Sequence, residues 1–167
     1  MSGITGLRSI RSNRFYGWNM KGLSEKLLSV ISGAEPRLRE IDRNLIAEPV
    51  LAGGWSRKQV MAHLIDSASN NHQRFVRASL QPSLEYPSYD QDGNIRVQAP
   101  QEADWLLLVS LWASYNRYLA HIIARLPESK LETVCRIGDG KPVTLRFIAE
   151  DYLTHLLHHL HQIGAVD

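Results

Sequence analysis

Residues 56–80 read SRKQVMAHLIDSASNNHQRFVRASL, and this stretch decides the fold class. Ser56 followed three residues later by Gln59 is a capping box, the pair that satisfies two free amides at a helix start. Behind it Val60, Leu64, Ala68 and Phe75 recur at helical spacing and define a face to bury. His63, Asp66, Ser67, Asn70 and Arg74 form a polar stripe along one flank, with Asn71 nearer the apolar centre. A helix that needs only to pack has little reason to keep such a stripe beside its core.

Upstream, EPVLAGGWS at 48–56 is a loop by its proline and paired glycines. From Leu23 to Ile46 the residues Leu27, Val30 and Ile31, then Leu38, Ile41 and Leu45, follow at spacings of three and four. Gly33 and Pro36 interrupt that pattern. They predict a short helix and then a second one starting near Pro36, with the proline in its first turn. Residues 1–22 lack periodicity and read as an N-terminal arm ahead of a domain at 23–167, although Phe15, Tyr16 and Trp18 suggest that part of the arm packs.

Downstream, Pro82 to Pro100 holds three prolines and Gly93 and predicts a long connection, with a short hairpin or nothing regular in it. Connections of this length often rim sites. Residues 102–126 form a core helix through Trp105, Leu108, Trp112, Tyr115, Leu119, Ile122 and Leu126, ended by Pro127. LETVCRIGDGKPV at 131–143 alternates and turns at Gly138, Asp139 and Gly140, a small extended excursion. A last helix runs from Thr144 to Ile163 and stops at Gly164. Four helices, each with one apolar face, predict an all-α four-helix bundle with long crossover connections.

The 167 residues suit one domain, and 44% hydrophobic with 22% charged residues excludes wholesale disorder. No apolar run approaches the length of a membrane span. The start, MSGITGLRSIRSNRFYGW, has no apolar core of signal-peptide type. The single cysteine, Cys135, cannot form an internal disulfide, so a reducing cytoplasm is the expected setting. A formal charge of +2 is far from a nucleic-acid footprint, and the cluster Arg8, Arg11, Arg14 and Lys21 reads as solvated surface. Neither nucleic acid nor membrane is expected as a partner.

Four of the seven histidines lie in YLTHLLHHLHQI at 152–163. On a helical wheel Leu145, Ala149, Tyr152, Leu156, Leu160 and Ile163 share one stripe. His155 and His159 sit at its edge one turn apart, Asp151 and Gln162 continue that edge, and His158 and His161 lie further toward solvent. If this edge faces the flank of 56–80, His63, His155 and His159 converge. Three imidazoles on two helices suit zinc, nickel or ferrous iron, and three protein ligands leave a position for water or substrate. Asp66 or Asp151 can serve as the acceptor behind an imidazole, or as a base. Asn70, Asn71 and Arg74 either face the open position or form a buried polar network. As a cation, Arg74 can hold a carboxylate of substrate or cofactor in a bidentate pair. Leucines follow His155, so the HExxH arrangement is excluded. Trp55, Trp105 and Trp112 read as core anchors, and Cys135 as a structural thiol.

GGWSRKQVMAHLIDSASNNHQRF at 53–75, followed by HLLHHLHQI at 155–163, resembles the DinB-like superfamily, the branch that includes YfiT-type proteins. The resemblance runs from about Pro36 to Ile163. It implies a four-helix bundle with a long crossover and a divalent metal on His63, His155 and His159. It also implies a homodimer and a metal-dependent enzyme acting on a small molecule. Relatives of this kind are thiol S-transferases using bacillithiol, mycothiol or glutathione, thiol-requiring maleylpyruvate isomerases, or proteins labelled as metal-dependent hydrolases. Hydrolase and thiol transferase both remain open here, the latter adding a low-molecular-weight thiol as cofactor. The alternative is a non-catalytic metal-binding or stress-related bundle. The linker YPSYDQDGNIRVQAP departs from some relatives in lacking a tryptophan after its tyrosine–aspartate pair. Residues 102–126 also carry Leu106, Leu107, Val109, Leu111, Tyr118 and Ile123 beyond their main stripe, a second apolar face that a symmetry-related copy can cover.

Overall fold

The computed structural model describes residues 19–167. Among these residues four long helices make the bundle: α1 (Met20–Glu40), α3 (Arg57–Leu80), α5 (Trp105–Ile123) and α6 (Leu145–Gln162). Around the core, α1 packs on α5, α5 on α3, α3 on α6 and α6 back on α1. Helices consecutive in the chain, α1 with α3 and α5 with α6, therefore sit diagonally, and their connections must cross the bundle. A short helix α2 (Arg43–Ile46) lies in the first crossing.

The capping box is formed as expected: Ser56 Oγ accepts from the Gln59 amide, and Gln59 Oε1 accepts from the Ser56 amide at 2.8 Å. Val60, Leu64, Ala68 and Phe75 are all fully buried. The stripe predicted for the last helix, from Leu145 to Ile163, is buried too. Thr144 caps α6 by accepting from the Phe147 amide.

One expectation fails at α1. It is a single helix through Gly33 and Pro36, and it begins at Met20 with Asn19 as its cap, inside the expected arm. Leu27, Ile31, Ala34 and Leu38 stay on one buried line across the proline. A proline inside a helix costs about 3 kcal/mol. Burying Leu38 and its neighbours at about 1.5–3 kcal/mol each exceeds that cost. The carbonyl that loses its partner belongs to Ser32, which is exposed and can bond water. The last turn is pinned as well: Trp105 Nε1 donates to the Leu38 carbonyl at 2.8 Å, and Glu35 takes both Arg39 and Arg117. Those two guanidiniums hold the Glu35 carboxyl below the usual range, Arg39 contributing most. Phe15, Tyr16 and Trp18 lie outside the described residues.

The long connection also differs from expectation. Its strand β1 (Ser83–Tyr86) makes no local hairpin but pairs in parallel with β2 (Val134–Ile137), and β3 (Val143–Thr144) closes the sheet antiparallel to β2. Leu84 pairs with Cys135 in this register, and both face the core. A helix α4 (Gln91–Gln98) follows, capped by Asp90 accepting from the Gly93 amide and ended by Ala99 in the left-handed conformation, φ 45°. The turn after β2 needs glycine at position 138: φ is 54°, and a Cβ there would come within 2.8 Å of Ser88 Oγ.

Gly33 has no such role. It lies in an exposed helix interior, and a Cβ there meets nothing within 4 Å. Gly33→Ala is expected to stabilise the fold by about 0.5–1 kcal/mol, read as a higher urea midpoint with an unchanged slope.

Candidate metal centre

The α3–α6 contact decides what the polar flanks meet. His63, 1% exposed on α3, faces His155 and His159 of α6. One ring nitrogen from each of the three lies within 4.8 Å of the others. His63 Nε2 and His155 Nε2 are 3.1 Å apart. Ligands at 2.0–2.1 Å from a tetrahedral ion stand about 3.3–3.4 Å apart, so this separation is close to that of two edges of one coordination sphere.

The rest of each ring is set by its neighbours. His159 Nδ1 lies 2.9 Å from Gln162 Oε1, which leaves Nε2 with the lone pair when Nδ1 donates. His155 Nδ1 has Ser67 Oγ at 3.5 Å, a long contact. His63 Nδ1 is buried with no partner among the described residues. Burial pushes the His63 imidazolium down to about 4, and the neighbouring His159 adds to the shift. Burial does the same to His155, down to about 3, helped by His159 and His63. His159 is also lowered by burial, against the pull of Gln162. All three rings are therefore neutral at pH 7, the form that ligates. The donor set fits one divalent ion, held by His63, His155 and His159.

A cavity of about 350 Å³ opens beside the cluster, with His155 as part of its wall. Asn71, Arg74 and Asp151 line it, as does Ser67. Asp151 keeps contact with solvent, yet the packed atoms around it push its carboxyl up, Arg74 pulling part of the way back. Two candidates are placed elsewhere. The Asp66 carboxylate accepts from Gln98 Nε2 at 2.9 Å and from Asn94 Nδ2 at 3.5 Å, so it anchors α4 and backs none of the imidazoles. Asn70 bonds the Asp66 carbonyl within its own helix at 3.0 Å and is absent from the cavity wall. The Asp66 side chain turns toward α4, which the sequence reading left without a helix, and Asn70 folds back on its own helix.

Other residues belong to the site although the reading placed them elsewhere. Trp55 is half-buried with its ring 5.2 Å from that of His63, and its Nε1 donates to Asp92 of α4. Tyr89 lines the cavity, and burial raises its phenol. The hint of Tyr89 was its place in the tyrosine–aspartate pair of a linker long enough to rim a site. Cys135 is buried in the sheet and bonded to the Thr133 carbonyl. A larger hollow of about 440 Å³ beside Arg43, Lys58 and Trp105 shares no residue with the cluster, and Lys58 is spent there on the Gln101 and Ala103 carbonyls.

Metal analysis of untagged protein tests the centre. Wild type is expected to carry close to one divalent ion per chain and His155→Ala to lose most of it. Equal metal content in the two would remove the assignment.

A model of the DinB superfamily matches residues 22–163. A Bacillus pumilus (strain SAFR-032) protein named "Putative metal-dependent hydrolase" is 25% identical over 115 residues, which cover 69% of this chain and 66% of that protein, just under two thirds of its length. The solved structure described as "YfiT from Bacillus subtilis is a probable metal-dependent hydrolase with an unusual four-helix bundle topology" shares the fold. Its TM-score is 0.76, over 89% of this chain and 87% of that one, at 19% identity. Since the family model spans nearly all the described residues, the chain belongs to the DinB superfamily.

Proposed function

We propose that this protein is a metal-dependent enzyme acting on a small molecule, with hydrolysis as the reaction its site supports best. One observation carries the proposal: three neutral imidazoles converge, and one of them, His155, lines a cavity large enough for a ligand. Three protein ligands are the mark of a catalytic metal, which keeps a position open. A divalent ion held there supplies Lewis acidity, polarising an electrophile and making water or a thiol a better nucleophile near neutral pH. Asp151 lies one turn before His155 on α6 and faces the same cavity, where its carboxyl takes up or returns the proton that moves during bond cleavage. Asn71 braces the site: its Nδ2 donates to the Ser67 carbonyl at 2.9 Å, beneath the hydroxyl that approaches His155.

Thiol transfer is the second reading, and Cys135 bears on it. Burial raises that thiol and the sheet encloses it, so a thiol nucleophile must arrive as a low-molecular-weight co-substrate. Protein loaded with zinc, nickel or iron separates the readings. Turnover of an activated ester without thiol, abolished by chelator, is the expected result. Acceleration of monochlorobimane conjugation that needs both metal and thiol would assign transfer instead. With either activity, Asp151→Asn is expected to lower kcat about 10²–10⁴-fold while metal content stays unchanged. No metal-dependent turnover of either kind would leave a non-catalytic metal-binding bundle.

The proposal extends to assembly and location. Leu107, Leu111 and Tyr118 form one strip on α5, and they are 61%, 47% and 53% exposed. Val109 and Ile123, grouped with them on the second face, are buried instead. A twofold copy covers such a strip with a self-complementary patch. Light scattering after gel filtration is expected to give twice the chain mass, and Leu111→Glu to halve it. A single-chain mass for wild type would end the dimer proposal. No helix among the described residues is long and apolar enough to cross a membrane. One unpaired cysteine suits a reducing compartment, and the cytoplasm is the proposed setting.

A further inference from the structure

Arg74 is half-buried in the cavity wall, yet no acidic side chain comes within 4 Å of it among the described residues. Its Nε is buried with no acceptor among the described residues. Nη1 reaches Asn71 Oδ1 at 3.4 Å, the Tyr86 ring centroid is 5.3 Å from the guanidinium carbon, and Tyr89 and Asp151 share the cavity wall with it. Several arginines elsewhere are paired even at the surface: Arg39 and Arg117 share Glu35, and Arg146 reaches Glu128 and Glu132, while Arg57, half-buried like Arg74, donates to the Ile163 and Leu45 carbonyls. A solvated guanidinium needs no partner. A half-buried one has given up water and is completed by acceptor oxygens, from carbonyls or from an anion.

The cavity also has a second character. Ile137, Val143, Phe147 and Ile148 line it, and Phe147 is 50% exposed although it is a large apolar ring. The charges inside the wall are Arg74 and Asp151, which sum to zero. The one guanidinium offers a place for a single negative charge, and a second charge on the ligand would meet Asp151. From Ser67, beside His155, to Arg74 is seven residues, about 10 Å along the helix, and helical side chains lean back toward the N-terminus. A cavity of about 350 Å³ is near the lower limit for a small-ligand site.

We infer that Arg74 is a carboxylate-binding residue and that the substrate is a small monocarboxylate with an apolar body. Its carboxylate lies in the guanidinium fork, its body lies against Phe147 and Ile148, and its reacting group points to the histidine end. This inference deepens the proposed function and rests on it for which end reacts; the anion subsite itself stands on Arg74 and the cavity. A planar carboxylate is the partner the fork matches with two parallel hydrogen bonds.

Calorimetric titration of chelator-treated protein with phenylacetate, and with phenylacetamide as its neutral counterpart, tests the subsite with metal coordination excluded. Wild type is expected to bind the acid about tenfold or more tighter than the amide. Arg74→Gln loses that preference, Arg74→Lys keeps part of it, and Asp151→Asn tightens the acid by removing a competing carboxylate. Equal binding of acid and amide by wild type, or an undiminished preference in folded Arg74→Gln, would overturn the inference. Should Arg74→Gln fail to fold, the wild-type preference and the Asp151→Asn comparison decide. Metal content measured on the same preparations before chelator treatment keeps the two readings apart. No bound metal with the preference intact counts against the metal centre alone, and bound metal with no preference counts against Arg74 alone.

Discussion

Keeping three imidazoles neutral and close together between α3 and α6 is the constraint that the rest of the site obeys. Burial lowers all three, and His159 further disfavours protonation of His63 and His155, so the cluster resists becoming cationic. Nitrogen lone pairs held 3.1 Å apart gain little from one another unless a proton or a cation lies between them. A divalent ion resolves this by turning mutual repulsion into shared coordination. The two helices can hold such an arrangement because neither flank is a loop: His63 lies deep within α3, and His155 and His159 are one turn apart on α6.

The cavity depends on the crossovers. Because α5 and α6 are diagonal, the chain between them runs as β2 and β3 along the bundle, and β1 from the earlier connection pairs with it. Ile137 and Val143 from this small sheet form part of the cavity wall, and Tyr89 enters from the turn into α4. Three contacts hold α4 in place: Gln98 and Asn94 on Asp66, and Asp92 on Trp55. Both anchors stand near the histidines, on the same flank or in the loop before it. The polar stripe of α3 thus divides its work: His63 turns to the imidazoles, Asp66 to α4, and Asn71 and Arg74 to the cavity.

Much of this was legible in the sequence, and the reasons are local. The capping box at Ser56 and Gln59 acts within one turn, so its residues alone locate the helix start. The stripes of α3 and α6 follow from a 3.6-residue period that no distant contact can alter, and they placed His63, His155 and His159 at matching edges. Pro36 misled because the cost of a proline is local while the compensation is not. Leu38, the Glu35 ion pairs and the Trp105 bond all depend on α5.

What only the tertiary structure decided is which flank meets which partner. The parallel pairing of β1 with β2 joins residues about fifty positions apart, and no periodicity in either segment carries that information. For the same reason the sequence could not assign Asp66 to α4 rather than to an imidazole, move Trp55 from core anchor to neighbour of His63, or show Arg74 in a cavity wall without an ion-pair partner among the described residues. By itself the sequence determined the buried faces of α3 and α6 and the three candidate ligands, because side-chain direction along a helix is set by the backbone. The cavity and its charge balance were decided by packing, because they exist only between elements.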